Sequence, residues 1–409
     1  MIEGWKQTTL GEVAEIYGGF AFKGEHFSET QGFPVVKITD IKPPYVDTES
    51  CQKIDISQYD KKRIEKFLLR KGNYLVAMTG ATIGKVGKIT SDIEAYLNQR
   101  VAKIDSIDGL SDKDFIYYLV FSENFTKFIQ GFSSGSSVQQ NISSTDIGKY
   151  EILLPPLSEQ KAIAAVLSSF DDKIELLRRQ NKTLEAIAQA IFKEWFVKFK
   201  VKGEQLKLNP KTGLPEGWRR GKLGEMVSHI KDNVIPFKHD NQLYLHYSIP
   251  AFDAGKKPTL ELGGKILSNK YSVKSFSFLI SKLNPSISRI WTIFHAEENS
   301  VCSTEFQVVM PRERNNFSFV HCFLNSGYFT KEFASKAHGT SGSHQRANPE
   351  DIINMEIIIP RADVNDDFHG TIFPLLTKVN NNNSQIQTLS KLRDTLLPKL
   401  MKGEIRVKL

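Results

Sequence analysis

Several short runs of this chain occur twice, and that duplication constrains the fold more tightly than any local motif does. Glu3-Gly4-Trp5, followed by Leu10-Gly11-Glu12, returns as Glu216-Gly217-Trp218 and Leu223-Gly224-Glu225, displaced by 213 positions. Ser134-Gly135-Ser136 with Gln139-Gln140 matches Ser341-Gly342-Ser343 with Gln345-Arg346 once one residue is deleted. Asp146-Ile147, Glu151-Ile152 and Pro155 recur as Asp351-Ile352, Glu356-Ile357 and Pro360 at a constant offset of 205. The offset persists through Lys173/Lys378, Gln180/Gln385, Thr183/Thr388 and Leu184/Leu389. One register held over so many positions means a tandem duplication of a unit of about 200 residues.

Each unit divides into two parts of different character. The first part, residues 1–155 and again 215–362, holds short runs such as Phe33–Thr39, Tyr74–Met78, Phe276–Ile280 and Glu356–Ile359, rich in aromatic and β-branched residues. Runs of this length between turn residues predict strands. Aromatic residues at helical spacing predict short helices at about 112–130 and 316–335. The second part is a long helix: 156–214 comprises the first with its linker, and 363–409 the second. After Pro155-Pro156-Leu157-Ser158, Leu167, Phe170, Ile174, Leu177, Asn181, Leu184, Ala188, Ile191 and Trp195 fall alternately three and four apart, a heptad seam with one polar position. A helix over 158–199 would run about 60 Å. In the second copy the stripe is Val379, Asn382, Ile386, Leu389, Leu392 and Leu396; the run Asn380–Asn383 weakens helix propensity at its start, and Pro398 ends or kinks it. Two seams of similar length are most simply satisfied by each other. The expected class is therefore α+β: two mixed α/β domains separated by two long antiparallel helices that form a coiled coil. The alternative is that each helix packs on its own domain.

Composition narrows the setting. Of 409 residues, 40% are hydrophobic and 24% charged, a balance that excludes a wholly disordered chain. No apolar run approaches the roughly 18 residues of a membrane span, and MIEGWKQTTL has no apolar signal core. Cys51, Cys302 and Cys322 are too scattered for a disulfide framework or a metal knuckle. A cytoplasmic protein, without a membrane partner, is expected. The net charge of +8 divides as +2 over residues 1–214 and +6 over 215–409, which favours polyanions without naming one.

Catalytic motifs are approached and missed. Gly80-Ala-Thr-Ile-Gly84-Lys85-Val86 has three residues between its glycines and no hydroxyl after the lysine, so it makes a tight turn rather than a phosphate loop. Lys42-Pro43-Pro44-Tyr45 is close to the tetrapeptide of amino-methyltransferases, but lysine cannot accept the hydrogen bond that chemistry needs. His338 and His344 lack a carboxylate at zinc spacing. The acidic pairs Asp171-Asp172 and Glu297-Glu298 are expected to solvate a helix end and a turn. No catalytic residue and no metal site is assigned.

Two similar domains on paired helices make a caliper for a two-part duplex target with an unread spacer, since helices of about 60 Å exceed a duplex turn of about 34 Å. The Gly-Trp…Leu-Gly-Glu repeat, Met78-Thr-Gly-Ala-Thr-Ile-Gly-Lys-Val-Gly87 and Ile152-Leu-Leu-Pro-Pro-Leu-Ser-Glu-Gln-Lys-Ala-Ile163 resemble the specificity subunit of type I restriction-modification enzymes over nearly the whole chain. The resemblance implies two target-recognition domains, each for one half of a bipartite asymmetric DNA site, and helices that set the spacer and dock two modification subunits. It also implies that catalysis lies elsewhere. Modification subunits would use S-adenosylmethionine to methylate adenine N6, and restriction subunits would use ATP and Mg²⁺ to translocate and cleave. The chain departs from the pattern at Pro360-Arg-Ala-Asp363, and Leu283-Asn-Pro-Ser-Ile-Ser-Arg289 stands where the glycine turn would be.

Side chains suited to phosphates and base edges nominate the DNA contacts. They are Lys85, Lys88, Arg100, Gln139, Gln140 and Asn141 in the first domain, and Lys282, Arg289, Gln345 and Arg346 in the second. Ile174, Leu177, Asn181, Leu184, Ile191, Val379, Ile386, Leu389 and Leu396 are nominated for helix pairing. The cluster Lys61-Lys62-Arg63 with Lys66, Arg70 and Lys71 is either a phosphate track or a solvated face. Competing functions are a specificity subunit of another restriction architecture, or a self-contained DNA methyltransferase or nuclease.

Overall fold

The computed structural model describes residues 3–132, 141–337 and 345–407. The chain forms two compact units, Met1–Glu175 with Ile386–Leu409, and Leu176–Gln385. Each long helix therefore lends one half to each unit.

In the first unit a mixed sheet runs in the order Ala14–Gly18, Val101–Ser106, Tyr74–Ala77, Val86–Lys88, Tyr45–Val46, Ile41–Lys42. All four residues of Tyr74–Ala77 are buried, as suits an apolar run flanked by strands on both sides. A second sheet orders Phe27–Ser28, Lys53–Ile54, Phe33–Val36, Ala95–Leu97 and Leu68–Leu69. Helices Lys113–Val120 and Glu123–Phe132 close the core with Phe115, Phe125 and Ile129. The second unit repeats the plan. Val227–Ile230, Phe306–Pro311, Ser277–Ser281 and Ile290–Ile293 form one sheet, and Asn316–Leu324 and Gly327–Ser335 are the matching helices. Its other sheet is Asn233–Val234, Lys270–Ser272, Ser300–Ser303, Leu243–Tyr247 and Thr259–Leu262.

The repeated Leu-Gly-Glu has a physical reason. In each unit it follows a strand paired antiparallel with the strand that precedes a long helix: Lys6–Thr9 with Glu151–Leu154, and Arg219–Lys222 with Glu356–Ile359. Leu10 and Leu223 are fully buried. A Cβ on Gly11 would lie 3.2 Å from the Gly148 carbonyl, and one on Gly224 would lie 3.0 Å from that of Ile353, so only glycine fits without a shift. Glu12 and Glu225 accept from the backbone N–H groups of Thr9 and Lys222 at 3.4 and 2.8 Å, tying the turn.

The long helices span Leu157–Phe196 and Ala362–Met401 and are antiparallel. In the first unit Ile163, Ala164 and Leu167 share a core with Leu397, Leu400 and Met401. In the second, Ala188, Phe192, Trp195 and Phe196 pack with Val364, Phe368, Ile372 and Leu376. Ile174, Leu177 and Val379 are buried, whereas Leu184, Ile191, Ile386, Leu389 and Leu396 are half-buried. Asn181, the polar seam position, accepts from Asn382 Nδ2 and donates to Asn383 Oδ1, both at 2.8 Å.

Three expectations about the second helix change. The asparagine run lies in its middle, not at its start, because Asn382 is fully buried against Asn181. The stripe leaves Leu392, which is 47% exposed, and passes through Arg393, Leu397 and Leu400. Spacings of four hold that face better than strict alternation does, since 3.6 residues per turn drifts from a 3.5 repeat. Pro398 lies within the last turn, and Pro374 also sits inside the helix. The carbonyl that Pro374 cannot bond belongs to Gly370, around whose Cβ position the space is open.

The Ser-Glu-Gln start of the first helix works as a clasp. Glu159, 2% exposed, accepts from Trp5 Nε1 at 3.1 Å and from Arg406 Nε and Nη2 at 2.5 and 2.8 Å. Gln160 accepts from the Asp112 N–H at 2.8 Å and donates to the carbonyls of Pro155 and Leu110 at 2.9 and 3.2 Å. The second copy joins its parts with rings instead: Trp218 lies 5.6 Å from Phe196, and Phe196 4.7 Å from Phe368. Asp171 does not solvate a helix end. It is mid-helix and receives Arg393 Nη1 at 2.5 Å and the Tyr118 hydroxyl at 2.7 Å.

Candidate nucleic-acid interface

Both units build the same backbone frame at one end of a central hairpin. In the first, the strands Tyr74–Ala77 and Val86–Lys88 are antiparallel, joined by the tight turn expected at Gly80. The Ala77 N–H donates to the Lys85 carbonyl at 2.9 Å, that of Ile83 to Gly80 at 3.0 Å, and that of Met78 to Arg100 at 3.0 Å. The Ile142 N–H donates to the Met78 carbonyl at 3.0 Å.

In the second unit Ser277–Ser281 and Ile290–Ile293 form the hairpin. Ser281 donates to Arg289 at 3.0 Å, Ile287 to Asn284 at 2.8 Å, Lys282 to Glu305 at 2.8 Å, and Ala347 to Lys282 at 3.0 Å. Every bond has its partner in the other unit at an offset of 204 or 205. Gly80 and Asn284 share the left-handed backbone region, φ +70° and +49°. Asparagine tolerates that region better than other side-chain-bearing residues, which is why the glycine turn is unrecognisable in the second copy's sequence. An isolated bridge, Thr79 with Asn141 and Leu283 with Arg346, closes each frame.

On this shared frame the side chains differ. Arg100 and Asn141 are exposed, and Arg100 Nη1 donates to Asn141 Oδ1 at 3.2 Å; the Thr79 hydroxyl also meets that oxygen. At the equivalent pair of positions, Arg346 Nε and Nη2 donate to the two Glu305 carboxylate oxygens at 3.1 and 2.9 Å. The turn and bridge positions have exchanged donor and acceptor. Lys85 is exposed, whereas its counterpart Arg289 is gripped by Asp253 at 2.8 and 3.0 Å with a side chain only 12% exposed.

Lys282 gathers with Lys231 and Arg346. Burial lowers its pKa most; those two cations lower it further, and Glu305 opposes them. His229 is held low by burial, with Lys231 and Lys282 adding to the effect. Lys88 stands apart from the frame: it pairs with Tyr74 at the other end of the hairpin and reaches Asp114 at 3.4 Å.

Residues 2–186 match the family model described as type I restriction modification DNA specificity domain. The chain is 28% identical to the type I restriction enzyme MjaIX specificity subunit of Methanocaldococcus jannaschii, over 98% of this chain and 94% of that one. It is 20% identical to the HindI specificity subunit of Haemophilus influenzae, over 98% and 99%. Over nearly its whole length the chain is similar to type I restriction enzyme specificity subunits. Its fold is that of the type I restriction-modification S subunit from M. genitalium, with a TM-score of 0.60 at 17% identity over 97% of this chain and 96% of that one.

In this chain, Lys85, Arg100 and Asn141 lie on the first frame, and Lys282, Arg289 and Arg346 on the second. Gln345 contributes its carbonyl, which accepts from the Asn284 N–H at 2.8 Å. Gln139, Gln140, His338 and His344 lie outside the described residues. In the basic cluster, Arg70 is paired with Glu94 at 3.2 Å and Arg63 sits over the Phe20 ring. Glu305, Asp253, Lys231 and Thr79 take part without having been nominated from sequence. Glu305 lies 205 positions after Arg100, so the repeat register pointed to it; Asp253 carried no such signal. Among the described residues, no helix is long and apolar enough to cross a membrane.

Proposed function

We propose that this chain is the non-catalytic DNA-recognition subunit of a type I restriction-modification complex, each frame-bearing domain reading one half of a bipartite asymmetric site. The observation that carries this reading is the pair of frames, with one backbone network and different exposed polar side chains. A conserved scaffold with exchanged donors and acceptors is what two unlike half-sites require, because bases are distinguished by donor and acceptor pattern. The second frame's Lys231, Lys282 and Arg346 supply the positive field for phosphates.

The two forty-residue helices act as spacer and as docking surface for two modification subunits. S-adenosylmethionine, ATP and Mg²⁺ belong to the partners: adenine-N6 methylation to the modification subunits, translocation and cleavage to the restriction subunits. The complex works in the cytoplasm.

The test is to replace residues 1–155 with the first domain of another specificity subunit and map methylated adenines in the genome of cells that also express the modification subunits. One half-site should change while the other half-site and the spacer persist. A change in both half-sites, or in neither, refutes the modular reading. Methylation by the purified chain alone would refute the non-catalytic one.

A further inference from the structure

The geometry points to Arg346 as a guanine-reading residue of the second domain, with Glu305 as the positioning residue that aims it. This rests on the proposed DNA-recognition function and goes beyond it by naming a side chain and a base. A guanidinium has five N–H donors in a planar fork. Glu305 occupies the Nε edge, taking Nε and one Nη2 hydrogen, as the two separate oxygen contacts at 3.1 and 2.9 Å require. The Nη1–Nη2 edge is left, and it matches the O6 and N7 acceptors that guanine presents in the major groove.

Both residues are anchored in the frame. The Glu305 carbonyl receives the Lys282 N–H at 2.8 Å, and Arg346 is bridged to Leu283 and followed by Ala347, whose N–H binds the Lys282 carbonyl at 3.0 Å. The arginine therefore loses little rotamer freedom on binding, the usual source of affinity from preorganisation. Its side chain is 55% exposed, so a base edge can reach it.

Arg289 makes an equally good fork with Asp253, yet its side chain is 12% exposed and its buried Nη1 faces no partner. It serves the turn rather than the groove. Lys282, whose backbone N–H binds the Glu305 carbonyl at 2.8 Å, adds a cation near Arg346 that suits a phosphate. In the first domain the same two positions hold Arg100 and Asn141, joined through Nη1 rather than Nε, so a different edge is presented and a different base pattern is expected there.

The experiment uses the full chain assembled with its modification subunits. The methylated motif of the wild type is determined first, and a bipartite motif is the control for the underlying function: its absence would sink that reading, not this one alone. Given the motif, binding is measured to duplexes in which each guanine of the second half-site is replaced, one at a time, by 7-deazaguanine, which lacks the N7 acceptor. One position should weaken binding by wild-type protein by about five- to 150-fold. R346A should be indifferent to that replacement and should methylate sites with any base there, with the first half-site unchanged. R346K should not restore discrimination, since lysine lacks the fork, and E305Q should relax it in part. A second half-site without guanine, or 7-deazaguanine tolerated at every position by the wild type, overturns the assignment without any variant having to fold. So does an R346A complex that retains the full motif.

Discussion

Replacing the asparagine layer of the helix pair separates the cost of breaking a buried polar contact from the cost of having it. Asn382 is fully buried and Asn181 is 7% exposed. The bonds are Asn382 Nδ2 to Asn181 Oδ1 and Asn181 Nδ2 to Asn383 Oδ1, both 2.8 Å, and Asn382 Oδ1 has no partner. N181L removes both bonds and strands the whole Asn382 amide, while exposed Asn383 turns to water. An unmade buried bond costs about 1–3 kcal/mol, so a loss of about 2 kcal/mol is expected. N382L costs less, about 1 kcal/mol, because it also deletes the oxygen that is already unpaired. The double variant N181L/N382L replaces the layer by apolar contact and should lie within about 1 kcal/mol of wild type, or above it. The coupling energy is then at least about 2 kcal/mol, and about 3 kcal/mol if the double variant matches wild type. Urea unfolding of the full chain followed by tryptophan fluorescence reads the second unit, since Trp195 and Trp218 sit in its core. Additive losses, or an N382L loss larger than that of N181L, would refute the accounting.

Other outcomes follow from the same contacts. R406A leaves buried Glu159 with only Trp5 and should lower the denaturation midpoint, by less than loss of a fully buried pair would because the Arg406 side chain is 48% exposed. R393A leaves Asp171, whose side chain is 16% exposed, with only the Tyr118 hydroxyl and should cost about 3 kcal/mol; R393M/D171N should recover most of it. Burial holds the His321 ring down to about 4 from 6.5, so the unfolded chain binds the extra proton. Its share of stability is complete above pH 6.5 and is lost as pH falls towards 4, by about 1–2 kcal/mol for this half-buried residue. Midpoints of wild type and H321N should converge over that interval; parallel curves would show that His321 carries none of the dependence.

The duplication, the two-part unit and the long seam were legible because each rests on positions that recur at a fixed interval. Ile174, Leu177 and Val379 were placed on the seam by spacing alone, without knowledge of their partners, and are buried. The second helix was less legible. Its asparagines and Pro374 argue against a helix locally, and packing overrides that preference: Asn382 is buried against Asn181, and Phe368, Ile372 and Leu376 are buried in the core. The second glycine turn was hidden because asparagine can take the same backbone conformation at position 284.

Amino-acid order alone determined the plan of this chain: two copies, each a mixed domain and a helix, with repeated motifs at the junctions. Hydrophobic periodicity and turn chemistry are local, so they survive in a one-dimensional record. Which cations are available to a ligand was decided only by tertiary structure. Lys85, Arg289 and Arg346 look alike in sequence. Yet Arg289 meets Asp253 across 36 positions and is spent on the turn, while Arg346 meets Glu305 across 41 and stays exposed. Electrostatic pairing acts through space and depends on burial, and neither is fixed until the strands are in register.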